Sequence, residues 1–229
     1  HCEINEDLSR IVKHNYQQLK VDNIETFSGN GFDFLKTNRQ SFDCIYIDPS
    51  RRNDLKGKVF LLKDCLPYVP PKIDFFFSKA KYILIKVSPI LDISNTIKDL
   101  KNVKEVHIVA INNEVKELLF LLEKEYTDFI EIKTINFQRE NKQEFNFNLE
   151  EKVISDYTEP LTYLYEPNAA ILKSGGFHQI SKKLNISKLH QHSHLYTSKE
   201  YIDFPGRCFK INHNINIFIH HNFCTFFII

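Results

Sequence analysis

The sequence predicts an α/β fold built on a parallel sheet with helices packed around it. Three observations carry that expectation. One short apolar run ends in Ile45-Tyr46-Ile47-Asp48-Pro49, a second, Tyr82 to Val87, is closed by Ser88-Pro89, and amphipathic stretches lie before and after them. Short apolar runs bounded by turn residues read as central strands of a parallel sheet. Strands alternating with helical patterns indicate a doubly wound arrangement.

Taken in order, Leu8, Ile11, Val12 and Leu19 share one helical face, so Asn5 to Leu19 reads as an amphipathic helix. Ile24 to Phe27 is a short strand, and Ser28-Gly29-Asn30-Gly31 turns the chain into a brief helix through Leu35. The strand ending at Asp48 follows; Pro49 has no amide to give a ladder, so the strand stops there. A helix is expected near Val59 to Cys65 and another over Ile73 to Lys79, separated by Pro67, Pro70 and Pro71. Tyr82 to Val87 is a buried strand, Asp92 caps a helix to Leu100, and Val106 to Ile111 is a strand ending at Asn112-Asn113. Glu114 to Glu125 suits a helix by length, but Asn112-Asn113 is good hairpin chemistry, which favours a returning strand. Phe129 to Phe137 is a further strand, and the polar stretch Gln138 to Glu151 reads as linker. A second unit follows: Asn168 caps a helix to about Leu184, and an extended segment leads to Pro205-Gly206-Arg207.

The chain of 229 residues, 42% of them hydrophobic, is large enough for a real core. A net charge of +1 gives no global basic field, so a nucleic-acid partner would need a local patch. No apolar run approaches a membrane span, no signal peptide is visible, and five cysteines without CxxC spacing fit a reducing, cytoplasmic setting. There is no methionine, and the chain opens on His1 in what reads as a strand end, which suggests a fragment. From Ile211 onward nearly all charge is lost, so residues 212–229 read either as foreign to the fold or as an apolar terminal strand.

Ligands of open α/β sheets lie beyond the carboxyl ends of strands, which draws attention to Glu3, Asn30 and Asp48. A carboxylate such as Glu3 can accept from both hydroxyls of a ribose, although alone it is also an ordinary helix-start acid. Asn30 sits in a glycine-flanked turn where backbone can approach a flat ring. Arg51 and Arg52 suit phosphate or carboxylate, or a surface ion pair with Asp54 or Asp64. Lys86 faces either a cofactor pocket or a buried acid, with Asp48 on the neighbouring strand as its partner. His190, His192 and His194 alternate but have no cysteine or carboxylate at ligand spacing, so no metal site is expected. Lys173, Lys182, Lys183 and Lys188, with Tyr196 and Arg207, form the one local basic and aromatic concentration; clustered, they would hold an RNA backbone, and dispersed they are a solvated helix face.

The strings HCEIN, HNYQQL, IDPSRRN, GKVFLLKDC, LIKVSPILDI and EVHIVAINNEVKELLFLL, followed by YLYEPNAAILKSGGF, KLHQHSHLYTS and FPGRCF, span roughly residues 1–210. In this order they resemble the class I S-adenosylmethionine-dependent methyltransferases, specifically a bacterial branch with a C-terminal THUMP-like domain. The resemblance implies a Rossmann-like methyltransferase sheet lacking its first strand and its glycine-rich turn, over residues 1–137. It also implies a linker at 138–160, a small α+β THUMP-like domain at 161–211, and cofactor contacts from Glu3 to ribose and Asn30 near adenine, with Asp48 between cofactor and substrate. The family usually has Asp where Asn30 stands. Asp48, Pro49, Ser50 and Arg51 match the acid-proline-proline motif of enzymes that methylate base nitrogens, in which the acid and a proline carbonyl accept from an exocyclic amine. Ser50 replaces the second proline here. A related group methylates uracil carbon through a cysteine after the next strand, and Lys86-Val87-Ser88-Pro89 supplies none.

The expected activity is therefore S-adenosylmethionine-dependent methylation of a base in RNA, tRNA or rRNA, with Arg51, Arg52, Lys173, Lys182, Lys183, Lys188 and Arg207 as candidate RNA contacts. A non-catalytic RNA-binding module that keeps the fold, and a small-molecule methyltransferase, are the competing readings.

Overall fold

The computed structural model describes residues 1–51, 61–219 and 222–228. It opens with β1 (Cys2–Glu3), α1 (Glu6–Gln18), β2 (Phe27–Ser28) and α2 (Gly31–Thr37), with β1 and β2 paired in parallel. Both helices begin where an asparagine can satisfy free amides: Asn5 accepts from Asp7 and Leu8, and Asn30 accepts from Phe32. Next come β3 (Phe42–Ile47), β4 (Ser50–Arg51), β5 (Cys65–Leu66), α3 (Ile73–Phe77), β6 (Ala80–Val87) and α4 (Ile93–Asp99). Four long strands follow, β7 (Val103–Ile111), β8 (Glu114–Glu123), β9 (Glu131–Phe137) and β10 (Lys142–Asn148).

Six of these strands form one sheet in the order β10-β9-β7-β8-β6-β3. β3 pairs with β6 and β7 with β9 in parallel, while β8 lies antiparallel between β6 and β7. The sheet is mixed rather than parallel throughout because Asn112 and Asn113 both adopt positive φ, 49° and 63°, and fold β7 straight back as β8. One face carries the core: Ile83, Ile85, Val106, Ile108, Leu118 and Phe120 are fully buried. α3 packs on β6, and a later helix packs on β7, β8 and β9. The other face alternates half-buried leucines (Leu84, Leu119, Leu121) with charge, Glu123 bridging Lys81 and Lys104 and Glu105 lying between His107 and Lys133. Alternate residues of a strand point to opposite faces, so Tyr46 and Lys86 belong to this second face.

The second unit comprises β11 (Tyr163–Pro167), α5 (Ala169–Ser174), α6 (Phe177–Leu184), β12 (Ser187–Lys188), β13 (Tyr196–Ser198) and β14 (Gly206–Lys210). Its strands form an antiparallel sheet in the order β12-β13-β11-β14. A continuous polar network joins it to the large sheet. The Gln143 side chain donates to the Gly206 carbonyl and accepts from both Asn136 and Asn168, and Asn113 accepts from the Ala169 amide. Asn136 and Asn168 are buried, and among the described residues no buried side-chain polar atom lacks a partner. Such a network is stabilising only when complete, and this one is. The backbone of β15 (His213–Ile219) and β16 (Asn222–Ile228) forms a separate hairpin. No helix among the described residues is long and apolar enough to cross a membrane.

Three further sequence expectations give way. The helix expected to end at Cys65 is instead a single 3-10 turn, Leu62–Asp64, followed by extended β5; Val59 and Phe60 lie outside the described residues. Within the expected linker at 138–160, residues 142–148 are β10, because Phe145 and Phe147, two apart, both reach the core. The helix expected from Asn168 to Leu184 is two helices, broken where Gly175 takes a φ of 74°.

Candidate functional site

The parallel register of β3 and β6 places Ile47 opposite Ile85, so the next residues on each strand, Asp48 and Lys86, meet. Their side chains form an ion pair, Asp48 Oδ2 lying 2.9 Å from Lys86 Nζ. The expected pairing of Lys86 with Asp48 is what the structure shows. The hydrogen bond to Asp48 raises the Lys86 pKa above the ordinary lysine value, so this ammonium stays charged. The Asp48 side chain is 52% exposed and that of Lys86 27%, so the pair faces solvent at the sheet rim.

A cavity of about 340 Å³ opens at this rim. Asp48, Pro49 and Ser50 form one wall, and the Ser88-Pro89 turn after β6 forms another. Pro49 is buried, which anchors the corner. Beyond it, Ser50 and Arg51 pair with Leu66 and Cys65 as the β4–β5 ladder, and the Ser50 hydroxyl donates to the Leu66 carbonyl at 3.3 Å. Ser50, where the family pattern has a second proline, is therefore held by hydrogen bonds instead of ring stiffness.

Two contributors to the cavity were not foreseen. Glu117 enters from β8, its carboxylate 3.7 Å from Lys86 Nζ. Cys65 enters from β5 and is only 4% exposed. The hairpin turn at Asn112-Asn113 could have found Glu117, since it carries β8 back beside β6. Nothing in the sequence marked Cys65, because β5 lies in a stretch read as helix. Tyr46, 55% exposed on the same sheet face, completes the surroundings; burial and then the charge of Asp48 push its phenol pKa up.

Glu3 and Asn30 come together at the carboxyl ends of β1 and β2, where the Gly29 amide donates to the Glu3 carbonyl. This small pair of strands is not hydrogen-bonded to the six-stranded sheet that bears Asp48. Asn30 spends its side-chain oxygen as the cap of α2. One Glu3 oxygen accepts from the Asn5 amide at 2.8 Å, and the other has no protein partner among the described residues.

The basic residues divide. Lys188 is 1% exposed and donates to the Gln191 carbonyl, and Lys173 is partly buried and donates to the Leu91 carbonyl at 2.9 Å. Burial lowers the pKa of both. Neither is placed to meet a nucleic-acid backbone, which corrects the expectation for these two; Lys173 instead braces the cavity wall at Leu91. Lys182, Lys183 and Arg207 are exposed, although Lys183 donates to the Asn146 carbonyl and Arg207 pairs with Glu166. Arg52 and the side chain of Arg51 lie outside the described residues. His190, His192 and His194 occupy the loop between β12 and β13, with His194 stacked on Phe177 at 3.8 Å. Among the described residues no three metal-ligand side chains converge.

No curated protein matches the chain. The sequence pattern of a ferredoxin-like domain matches residues 163–205, which covers β11 to β13 of the second unit. The whole fold is similar to a crystal structure described as a "putative methyltransferase" from Porphyromonas gingivalis W83. The two share 31% identity and a TM-score of 0.81, over 94% of this chain and 55% of that one, so the chain spans about half the length of the protein it resembles.

Proposed function

We propose that the chain is the larger part of an S-adenosylmethionine-dependent methyltransferase that modifies a base in RNA. The observation that carries this reading is Asp48. It is an exposed carboxylate at the carboxyl end of a parallel strand, oriented by Lys86 on the rim of a cavity. A carboxylate fixed there accepts hydrogen bonds from an amine and turns its lone pair toward an electrophile, which is catalysis by orientation. The methyltransferase likeness of the Porphyromonas structure supports the reaction class.

S-adenosylmethionine, when bound, supplies an electrophilic methyl group on a sulfonium. The donor set at the ends of β1 and β2 fits its nucleoside part: Glu3 keeps one carboxylate oxygen for a ribose hydroxyl, and the Asn30 side-chain amide nitrogen has no hydrogen bond among the described residues. Support for RNA comes from the second unit, where Lys182, Lys183, Arg207 and Tyr201 are all exposed. Withdrawal of Lys173 and Lys188 from that surface favours the small-molecule reading. The deciding experiment incubates the full-length protein with radiolabelled S-adenosylmethionine and total tRNA or rRNA, alongside filter binding over a salt series. Label in RNA and affinity that falls with salt are expected; binding that ignores salt points to a small-molecule acceptor.

Cys65 brings to the cavity a thiol of the kind that covalent attack on a ring carbon needs and that the turn after β6 lacks. Direct transfer needs no thiol, so Cys65→Ser should keep RNA labelling within about threefold of the parent, whereas removing a covalent nucleophile would abolish it. Single-turnover labelling of the variant checks this.

A further inference from the structure

We infer that Glu117 is the second substrate-facing carboxylate of this site, and that Lys86 is a transferable counter-ion that moves from Asp48 to Glu117 when an amine enters. The inference rests on the reading of Asp48 as the amine acceptor and extends it to the groups that make Asp48 accessible.

In the structure Asp48 is masked. Its Oδ2 holds the Lys86 ammonium at 2.9 Å, so an amine that approaches this oxygen from the cavity competes with a charged donor. Expelling that ammonium into water would oppose binding. Glu117 removes the difficulty, because its Oε2 already lies 3.7 Å from the same nitrogen. Closing that gap to hydrogen-bond distance as the ammonium leaves Asp48 completes the second bond. The other nearby cation, Lys116, is paired with Glu114 at 2.7 Å and does not compensate for it.

The acceptors of the array also bear on the substrate. Among the described residues, two carboxylates share the Lys86 ammonium, which leaves several acceptor lone pairs facing a common cavity. A ring edge bearing an amino group presents two N–H donors to such a surface. A ring edge bearing a carbonyl presents an acceptor beside a single ring N–H, so it offers fewer donors and sets a lone pair against the carboxylates. The site therefore takes adenine-like or cytosine-like edges in preference to uracil-like or hypoxanthine-like ones.

The test uses the full-length protein and the RNA fraction that accepts label. Glu117→Gln keeps shape but holds Lys86 weakly, so Lys86 stays clamped on Asp48. KM should rise about tenfold while kcat changes less than about threefold, the loss of one charge-assisted acceptor. Adding Lys86→Met removes the clamp, so the double variant Glu117→Gln/Lys86→Met should return KM to within about threefold of the parent. A residue with a merely structural role would give additive losses. Independently, with the cofactor site filled by S-adenosylhomocysteine, ligand-observed NMR should show adenosine or cytidine binding more tightly than inosine or uridine. Unchanged KM in Glu117→Gln, or a double variant as poor as the single one, overturns the inference, as does equal binding of the four nucleosides. Failure of the underlying reading looks different: Asp48→Asn would then leave labelling intact. If Asp48→Asn abolishes labelling and Glu117→Gln is silent, only the role of Glu117 falls.

Discussion

Replacing Asp48 with alanine in the full-length protein should reduce methyl transfer by about 10²–10⁴-fold, the range spanned by losing an orienting acid-base group. S-adenosylmethionine affinity, measured by isothermal titration, should stay within about threefold, because the nucleoside contacts are assigned to Glu3 and Asn30 on a different pair of strands. The substitution is clean for two reasons. Half the Asp48 side chain is already in water, so little packing is lost. Its removal does not orphan a buried charge either, since Lys86 retains Glu117 within reach. Exposed ion pairs contribute at most about 1 kcal/mol, so a urea midpoint close to that of the parent is expected and would certify that the loss is chemical. Unchanged turnover in a folded Asp48→Ala protein rejects the site. Strongly weakened cofactor binding would instead move Asp48 from the substrate side to the cofactor side.

This site shows which features were legible in the chain. Asp48 and Lys86 could be paired in advance because a parallel register between two bounded apolar runs leaves few options: whichever strands are neighbours, the residues that end them meet at one rim. The cap residues Asp92 and Asn168 were equally plain, since each stands just before a helical pattern, whereas the capping by Asn30 was obscured by its glycine-flanked turn. Glu117 was harder. Its segment has the length of a helix, and only the two asparagines before it bias the chain to return as a strand.

What stayed hidden had physical causes of two kinds. β10 carries so much polarity on its exposed face that the Phe145 and Phe147 alternation was overwhelmed, and a core strand passed for a linker. The lysines were misjudged because composition counts charges without burial. Lys188 lies in the interior against Phe177, and Lys173 is tied to a carbonyl of the cavity wall, while Lys182, a few residues away, is in solvent. A long side chain can bury its stem in either setting, so sequence position alone does not separate them.

The FPGR string, met in the sequence only as a signature, has a steric explanation that predicts a large loss of stability for Gly206→Ala. A Cβ at Gly206 would stand 2.1 Å from the Glu166 carbonyl oxygen and 2.9 Å from Pro167 Cα. Both are backbone atoms of the facing strand, so no side chain can swing aside. Gly206 pairs with Pro167 at the start of β14, and its carbonyl receives the Gln143 amide that links the two units. Making room must therefore spread β14 from β11 and slacken the tie to β10 in the same movement. The expected cost is about 3 kcal/mol, at the upper end for overpacking because a register end and a buried network yield together. Gly175→Ala is the matched comparison. Its Cβ would meet nothing within 4 Å, and only its φ of 74° opposes a side chain, so about 1 kcal/mol is expected there. Urea midpoints of the two variants should rank Gly206→Ala well below Gly175→Ala. The reverse order would mean that the close approach of β14 to β11 is readily relieved and that the glycine serves something other than packing. Because Lys173 of the same unit braces Leu91 at the cavity, a folded but loosened Gly206→Ala protein should also lose transfer activity without any change in the residues of the site.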